Sequence, residues 1–159
     1  MLDLAGSLQL RPFVLADAGA VEPWLDSPGL SLPGGQARRE WPRHLLANAR
    51  VVALVAEVRG RRVGFVRLDC GPDHLAEITL VVAPEFRRAG FGAAMFRMAL
   101  RQARRLGLRG FLAWIDVQNL PALSFFGDQG FVQDGMVGDR VRMRRFVHAG
   151  DHATPLDLG

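Results

Sequence analysis

The chain has 159 residues, 49% of them hydrophobic and 23% charged, which is the composition of one globular domain with a real core. The net charge is +4 and all 20 basic residues are arginine, so a nucleotide-hydrolysing P-loop, which requires a lysine, is excluded. The single cysteine, Cys70, excludes an internal disulfide, and because no motif surrounds it we interpret it as a small semi-buried thiol rather than a nucleophile.

The first half of the chain predicts three strands and two helices. The stretch "SLQLRPF" alternates as a strand does, and a short helix capped by Asp17 follows. Residues 27–35, rich in Ser, Pro and Gly, predict a flexible loop. Residues 36–48 predict a second helix, in which Pro42 lies in the first turn or makes a kink. The segments "VVALVAEV", "RGRR" and "VGFVRLDC" then predict a hairpin.

The second half alternates strands with helices. The stretch "HLAEITLVVA" is nearly continuously apolar after Glu77, as a buried central strand is. A helix is predicted over residues 90–106, with apolar side chains on one face and arginines on the other. The apolar set is Phe91, Met95, Met98, Ala99, Ala103 and Leu106, and the basic set is Arg97, Arg101, Arg104 and Arg105. The basic face is either a solvated surface or a site for phosphate or an acidic partner.

Three more strands and one helix complete the prediction. "GFLAWIDV" is a strand, residues 119–129 form a helix with Pro121 in its first turn, and "GFVQDGMV" is the next strand. "DRVRMRRFV" alternates and is expected to close the sheet. Residues 148–159 predict a flexible tail. The pattern indicates a three-layer α/β or α+β domain over residues 1–147.

The turn between the fourth strand and the long helix, "PEFRRAGFGAAMF", contains two arginines and two glycines. Gly90 and Gly92 leave the main chain bare where a helix begins, and its unpaired N–H groups and positive dipole end attract an anion. Arg87 and Arg88 add bidentate donors. A diphosphate would use all of these features. The Rossmann dinucleotide pattern does not fit, because Met95 stands where its third glycine belongs.

This turn resembles the acyl-CoA pyrophosphate loop of the GNAT superfamily of N-acyltransferases, whose pattern is Arg/Gln-x-x-Gly-x-Gly/Ala. Downstream, "NLPALSFFGDQGF" resembles the superfamily's Asn-x-x-Ala stretch, aromatic pair and Gly-Phe. The residues in register are Asn119, Ala122, Phe125, Gly130 and Phe131. The resemblance runs from about residue 8 to residue 147. It implies a central mixed, mostly antiparallel sheet of six to seven strands flanked by about four helices.

The resemblance also implies roles for individual residues. Main-chain groups near Val81 and Val82 would hold the pantetheine arm, where the fourth and fifth strands splay apart. Asn119 would contact that arm, or else it caps a helix. Phe126 stands beside the arm, where many members carry a tyrosine that protonates the departing thiolate. The amides that would wrap the pyrophosphate are those of Arg87, Arg88, Ala89, Gly90, Phe91, Gly92 and Ala93.

Acyl transfer to an amine needs a group that accepts the amine proton and a donor that stabilises the oxyanion. Glu77 is the candidate general base, because it is the sole acid inside the fourth strand. The main-chain N–H of Val82 is the candidate oxyanion donor. Weaker alternatives for the base are Asp69, Asp116 and His74.

Phe126 cannot donate a proton, which leaves three hypotheses for the departing thiolate. Water or Ser124 supplies the proton; or none is needed, because a thiol with a pKa of about 8.5 leaves fairly well as thiolate; or the protein binds acyl-CoA without efficient turnover.

The leading hypothesis is an N-acetyltransferase that moves an acetyl group from acetyl-CoA to the primary amine of a small molecule by direct attack, without a metal. The alternatives are a non-catalytic acyl-CoA-binding or regulatory module, a protein N-terminal or lysine acetyltransferase and, least favoured, a nucleic-acid-binding domain. A cationic amine would suit the aromatic and acidic residues of the first two helices, which are Trp24, Trp41, Glu22, Asp26 and Glu40.

The location and assembly of the protein are also expectations. The first residues lack the basic start and apolar stretch of a signal peptide, and no apolar run reaches the length of a membrane span. A cytoplasmic protein without membrane partners is therefore expected. If the alternating last strand forms an exposed edge, it would pair with another chain and give a homodimer.

Overall fold

The computed structural model describes residues 5–26 and 35–148, and the side chains of residues 6–25 and 40–148. Nearly all of the predicted loop at 27–35 and of the predicted tail at 148–159 lies outside the described residues. The strands are β1 (Leu8–Pro12), β2 (Val51–Val58), β3 (Arg61–Cys70), β4 (Leu75–Val82), β5 (Gly110–Asp116), β6 (Val132–Val137) and β7 (Arg140–Phe146). The α-helices are α1 (Ala18–Val21), α2 (Gly35–Ala47), α3 (Phe91–Arg105) and α4 (Leu120–Asp128).

The seven strands form one mixed sheet in the order β1-β2-β3-β4-β5-β7-β6. All neighbours are antiparallel except β4 and β5, which are parallel. The predicted hairpin is confirmed as β2 and β3, joined by a turn at Arg59 and Gly60, which both have positive φ. The predicted mixed, mostly antiparallel sheet of six to seven strands is also confirmed, with seven strands.

The prediction that β7 closes the sheet is wrong, and the condition set for pairing with another chain, an exposed edge at β7, is not met. β7 pairs with β5 on one side and with β6 on the other, so β1 and β6 are the edge strands. The alternation of β7 has a different cause, because Val141 and Met143 are buried against the helices while Arg140, Arg142 and Arg144 lie on the other face. Side-chain alternation reports which face of a strand is buried, and it does not report whether the strand has two neighbours.

Helices cover the two faces of the sheet unequally. We call the side on which α3 and α4 pack the α3 face; its core includes Ile78 of β4, Phe96 of α3 and Phe111 of β5. We call the other side the α2 face; its smaller core joins Trp41 of α2 to Val81 of β4. Successive residues of a strand point to opposite faces. The three-layer architecture is therefore confirmed, with the cavity described below set into the middle of the sheet.

The start of the first helical segment differs from its predicted form. Asp17 does not cap α1 with its side chain. Its Oδ2 accepts hydrogen bonds from the main-chain N–H of Val14 and from Arg11 at 2.8 Å each, and its Oδ1 accepts from Arg62 at 2.8 Å. Asp17 is fully buried, and these partners hold the pKa of its carboxyl well below the usual range, with the Arg11 hydrogen bond as the largest cause. A buried carboxylate is stabilised by charged donors more than by a helix end.

Two further predictions about helices need correction. Pro42 lies at the eighth position of α2, so the first-turn alternative is wrong and the alternative of a kink stays a prediction. In α3 the predicted apolar face is confirmed at Phe91, Met95, Ala99 and Ala103, whereas Met98 is only partly buried and Leu106, just past the helix, is 43% exposed. The arginine face of α3 is exposed as predicted. Leu106 points outward because α3 ends at Arg105 and the chain then turns through Gly107, whose φ is 72°.

Candidate active site

The centre of the sheet contains an opening between β4 and β5. The two strands pair only at Leu75 with Gly110, Ala76 with Phe111 and Glu77 with Leu112. Beyond these pairs β4 remains bonded to β3 as far as Val82, while β5 remains bonded to β7 as far as Asp116. The strands therefore splay apart toward their carboxyl ends, which the resemblance had implied.

The main-chain groups that face this opening follow from the hydrogen-bond alternation of β4. The N–H of Ala83 donates to Val63 of β3, and the C=O of Leu75 accepts from Gly71 just after β3. The C=O of His74 instead accepts from Arg109 just before β5. Odd-numbered residues of β4 thus face β3, and even-numbered residues face the opening. Leu80 and Val82 consequently present main-chain groups to the opening.

The expectation that the main chain of Val81 holds a ligand is corrected by the same alternation. Val81 lies on the cavity wall, but its N–H and C=O face β3 and its side chain belongs to the α2-face core. Leu80 takes its place as the second residue whose main chain faces the opening.

The turn after β4 presents a row of unbonded amides. In the described part of the chain, no carbonyl or side chain accepts a hydrogen bond from the N–H groups of residues 88–93. The N–H of Arg87, in contrast, donates weakly to Pro84 at 3.4 Å. Its guanidinium Nε donates to the Val82 carbonyl oxygen at 3.3 Å, which holds the arginine beside the opening. Six consecutive free donors at the start of a 15-residue helix form a concentrated positive potential.

Both glycines of the turn have a structural reason. Gly90 is the residue before α3 and has φ of 82°, a left-handed conformation that favours glycine. Gly92 lies where a Cβ would be 3.0 Å from the Phe125 ring. Together they keep side chains away from the free amides, so an anion can reach the main chain.

The opening, the turn and the start of α4 enclose a cavity of about 650 Å³. Its wall includes residues from both faces of the sheet, such as Ile78 from the α3 face and Trp114 from the α2 face, so the cavity passes through the opening. The predicted site residues on its wall are Val81, Val82, Arg87, Arg88, Gly90, Phe91, Gly92, Ala93, Asn119 and Phe126. Ala89 is part of the same turn but does not line the cavity.

Asn119 and Phe126 occupy the α4 side of the cavity. Asn119 is the N-cap of α4, and its Oδ1 accepts from the Ala122 N–H at 3.3 Å, so the capping interpretation is confirmed. Phe126 is 8% exposed. Its ring makes edge contacts with Phe125 and Phe131 at centroid distances of 5.2 and 5.0 Å. An apolar aromatic cluster therefore forms the wall where the resemblance leads one to expect a hydroxyl.

Of the three acidic candidates only Asp116 lines the cavity, whereas Glu77 and Asp69 lie outside its wall on β4 and β3. Glu77 is exposed at the last position of β4 that pairs with β5. It precedes the wall residue Ile78, and its side chain lies on the α2 face. Asp69, its register partner on β3, accepts two hydrogen bonds of 2.8 Å from Arg67. Asp116 lines the wide end of the cavity and accepts from the Gln118 N–H at 2.8 Å. Of the three, only Glu77 has no hydrogen bond or ion pair within the described residues.

Three other candidates lie away from the cavity wall. His74 is exposed in a turn with φ of 62°, and Ser124 is exposed on α4. Neither lines the cavity. The pKa of the Cys70 thiol is raised by burial and by the nearby Asp69, which agrees with a structural thiol rather than a nucleophile.

The aromatic residues expected to contact the acceptor are part of the core. Trp24 and Trp41 are 8% and 7% exposed and belong to the α2-face core. The Trp41 Nε1–H donates to Glu22 Oε1 at 2.9 Å, and Glu40 lies 3.5 Å from His44. The side chain of Asp26 lies outside the described residues. This set therefore stabilises α2 against the sheet, and the acceptor side must be sought elsewhere.

Several residues of the cavity wall were not predicted from the sequence. Leu80, Thr79 and Trp114 line the cavity, and their positions depend on where β4 and β5 separate. The alternation of β5 predicts that Trp114 lies opposite to Ala113, but no local pattern indicates that this face borders an opening. The pairing of residues 75–77 with residues 110–112 fixes where the two strands separate, and the sequence alone does not give this pairing.

Within the described residues the structure contains neither a metal-binding cluster nor a membrane-spanning helix. No group of three or more His, Cys, Asp or Glu side chains lies close enough together there to bind a metal ion. Likewise, none of the helices in residues 5–26 and 35–148 combines the length and the apolar character needed to cross a membrane.

Comparison with protein families gives one match that spans most of the chain. The sequence profile of the Acetyltransferase (GNAT) family matches residues 17–131. This range contains β2 to β5, the arginine and glycine turn, and α4.

The chain is also similar to individual proteins. It is 35% identical over 96 residues to an uncharacterized N-acetyltransferase of Methanocaldococcus jannaschii, covering 56% of this chain and 42% of that protein. It is 28% identical over 117 residues to the mycothiol acetyltransferase of Thermomonospora curvata, covering 73% of this chain and 32% of that protein. The chain thus spans less than half the length of these curated relatives.

Among solved structures, the fold is similar to that of the spermidine N-acetyltransferase of Vibrio cholerae in complex with CoA and spermine. The TM-score is 0.75 at 20% identity, over 89% of this chain and 96% of the other. At this identity the likeness concerns the fold.

Proposed function

The chain belongs to the acetyltransferase (GNAT) family, and from this premise we propose that it transfers an acetyl group from acetyl-CoA to the primary amine of a small molecule by direct attack. The observation that carries the proposal is the juxtaposition of six free amides with a cavity that passes through the sheet. The amides fit a pyrophosphate, and the opening fits an extended arm.

The residues of the turn fit the donor substrate on chemical grounds. Residues 88–93 would donate N–H groups to the pyrophosphate oxygens, and the guanidinium groups of Arg87 and Arg88 would add charge-assisted hydrogen bonds. No acidic residue occurs between positions 86 and 115, so no negative charge from this segment opposes the anion. Leu80 and Val82 face the opening with main-chain groups that would pair with the amides of the pantetheine arm, as a third strand would.

Glu77 is the group proposed to accept the amine proton. It lies at the closed end of the opening, on the α2 face, and its carboxylate has no competing partner in the described residues. Asp69 is less suited because both of its oxygens are held by Arg67. The main-chain N–H of Val82 remains the proposed oxyanion donor, and that of Leu80 faces the same opening. Both would act by stabilising the negative charge that develops on the carbonyl oxygen.

The leaving thiolate is proposed to depart without a proton from this chain. Phe126 has no donor and Ser124 is outside the cavity. A thiol with a pKa of about 8.5 needs little help near neutral pH, and water reaching the open side of the cavity then protonates it.

The acceptor is proposed to be a small molecule. Several similar proteins carry the name of a small molecule, among them the mycothiol acetyltransferase of Thermomonospora curvata and, with a similar fold, the spermidine N-acetyltransferase of Vibrio cholerae. These names describe those proteins, and they favour a small amine over a protein as the acceptor proposed here.

The test begins with acetyl-CoA binding by calorimetry. We expect binding by the wild type and a loss of at least about tenfold for Arg87→Ala, since a hydrogen bond to a charged group contributes about 1.5–3 kcal/mol. Arg97→Ala on the exposed face of α3 is the matched control, and it should bind as the wild type does. Absence of wild-type binding would overturn the proposal.

Thiol release with a panel of amines then tests turnover. Glu77→Gln should lower kcat by about 10² to 10⁴, the usual contribution of a positioned base, while acetyl-CoA binding stays unchanged.

The replacement of the expected hydroxyl by Phe126 favours a second candidate, an acyl-CoA-binding module without catalysis. Tight binding with no thiol release for any amine would support that module.

A further inference from the structure

The cavity reaches the α2 face between side chains of β4 and β5 that line its wall. Thr79 and Val81 come from β4, and Trp114 and Asp116 come from β5. Val81 belongs to the α2-face core, and Thr79, two residues earlier, lies on the same face. Ile115 belongs to the α3-face core, so its neighbours Trp114 and Asp116 lie on the α2 face. We call these four side chains the α2-face mouth of the cavity.

Asp116 is the acidic residue of the α2-face mouth, and half of its carboxylate is available. Its Oδ1 accepts a hydrogen bond from the Gln118 N–H at 2.8 Å, which holds the carboxylate at the end of β5. Within residues 5–26 and 35–148 no group donates to its Oδ2 and no cation pairs with it. The residue is partly buried, and a partly buried charge is screened less by water and salt than an exposed one. A cation in the cavity would therefore be attracted to Asp116.

The neighbouring arginines of β7 leave Asp116 unneutralised. Arg140 is its register partner, but Arg140 is exposed and no ion pair joins the two within the described residues. Arg142 is the register partner of Trp114, and its Nε lies 2.7 Å from Asp134 Oδ1 on the edge strand β6. The guanidinium of Arg142 is thus held by another carboxylate, and Asp116 keeps its negative charge for a ligand.

The indole of Trp114 adds an aromatic surface beside this carboxylate. Trp114 and Asp116 are two residues apart on one strand, which is about 7 Å, and both line the cavity. The guanidinium of Arg142 lies 5.9 Å from the centre of the indole, at the limit of a cation–π contact. A carboxylate next to an aromatic ring is a combination that binds ammonium groups. The chemistry of the α2-face mouth therefore favours a cationic nitrogen.

The α2-face mouth lies at the level of the proposed reaction centre. The strands β4 and β5 pair over residues 75–77 and 110–112. Continued along both strands, this pairing would bring Val81 opposite Asp116, so these two residues border the opening from its two sides. The N–H of Val82, the proposed oxyanion donor, faces the same opening. A nitrogen bound to Asp116 would thus be a few bonds away from an amine that attacks the acetyl carbon.

From this arrangement we propose that the acceptor is a diamine, with its reacting amine at the opening and its second, protonated nitrogen bound by Asp116 beside Trp114. The proposal rests on the proposed acetyl transfer and specifies the substrate class of that same site. In the reaction the neutral nitrogen bonds to the acetyl carbon, the C–S bond breaks, Glu77 takes the amine proton and the sulfur leaves as thiolate. The second nitrogen keeps its proton throughout. The products are a mono-N-acetylated diamine and CoA.

The test compares matched acceptors with the wild-type protein. Thiol release from acetyl-CoA is measured with terminal diamines of increasing chain length, and with the monoamine, the amino alcohol and the amino acid of each length. We expect kcat/KM for the preferred diamine to exceed that for its monoamine and amino alcohol by at least about tenfold, the size of one charge-assisted hydrogen bond. A monoamine, amino alcohol or amino acid that reacts as fast as its diamine would overturn this proposal alone. Acetyl-CoA binding without transfer to any member of the panel would overturn both proposals.

Asp116→Asn locates the preference in the α2-face mouth. The amide oxygen can still accept from the Gln118 N–H, so the substitution removes the charge and keeps the turn after β5. The ratio of kcat/KM for the diamine over its monoamine should fall about tenfold, through a higher KM for the diamine, while acetyl-CoA binds as to the wild type. Asp139→Asn, at an exposed residue outside the cavity wall, is the matched control and should leave the ratio unchanged. Equal losses of kcat for both amines would contradict a role in binding the second nitrogen, because such losses belong to a group that acts on the reacting amine.

Discussion

Two polar regions of the molecule differ in whether their polar groups have hydrogen-bond partners. At the Asp17 cluster, a fully buried carboxylate has its oxygens bonded to Arg11, Arg62 and the Val14 N–H, and Arg11 also contacts Glu57. In the turn before α3, the amides of residues 88–93 have no acceptor within the described chain. The satisfied cluster joins β1, β3 and the first helical segment. The unsatisfied turn has donors left for a ligand.

This contrast separates the residues that stabilise the fold from those that bind a ligand. A buried polar group without a partner is costly, so the Asp17 cluster must be complete before the fold is stable. Exposed amides at a helix start can donate to water at little cost. Because no side chain accepts a hydrogen bond from them, they remain able to donate to a ligand. Substitutions at the Asp17 cluster should therefore change stability, and those in the turn should change binding.

The largest expected effect is that of Asp17→Asn. It keeps the shape of the side chain but leaves two arginines without their charged partner, and we expect a loss of about 3 kcal/mol in the free energy of unfolding. Urea denaturation followed by circular dichroism measures it. Asp139→Asn, at an exposed turn residue, is the matched control. If the Asp17→Asn variant were as stable as the wild type, with or without weaker acetyl-CoA binding, the Asp17 cluster and the turn would not differ in the way described.

Acid should abolish the same stabilisation. The pKa of Asp17 is lowered in the folded state, so its contribution is present above the unfolded-state pKa of about 3.9 and is lost as the pH falls below it. The stability difference between the wild type and Asp17→Asn should therefore shrink as the pH is lowered from 5 toward 2. Denaturation curves at a series of pH values show this, and a difference independent of pH would argue against a buried carboxylate.

Gly92→Ala tests the turn with a smaller change. The added Cβ would lie 3.0 Å from the Phe125 ring and next to the free amides, so acetyl-CoA binding should weaken by about tenfold, or about 1.4 kcal/mol. Gly127→Ala in α4 is the matched control, because a Cβ there meets nothing within 4 Å. Calorimetry should show unchanged binding for the control, and the free energy of unfolding should change little in either variant.

The smallest expected effect is that of Phe126→Tyr. The residue lines the cavity, so the new hydroxyl would restore the donor that the resemblance leads one to expect. If the thiolate leaves unprotonated, kcat for thiol release should change by less than about tenfold. An increase of 10² or more, the scale of a positioned acid, would show that the missing donor limits the wild type.

The turn and its chemistry were largely predictable from sequence. Glycine conformations and helix starts depend on neighbouring residues, so "RRAGFG" indicates free amides without knowledge of the rest of the fold. The hairpin, the central strand and the exposed arginines of α3 follow from the same local rules. Asn119 was predicted both as a cap and as a ligand contact, and the structure confirms the cap while placing it on the cavity wall.

The prediction that Trp24 and Trp41 would contact the acceptor is wrong, because both side chains are buried in the α2-face core. Trp24 and Trp41 are aromatic residues at helical spacing, and nothing local separates a core tryptophan from one that contacts a substrate. Trp114, which does border the opening, carries no distinguishing pattern in its own strand.

The sequence by itself determined the elements, their buried faces and the anion-binding turn, because each depends on residues within a few positions of one another. Only the tertiary structure decided which strands form the edges, which arginines bond Asp17 and where β4 leaves β5. These features arise from pairings between residues tens of positions apart, such as Glu77 with Leu112 and Asp17 with Arg62. Side-chain periodicity carries no record of such pairings, since a strand alternates in the same way whether one neighbour or two lie beside it.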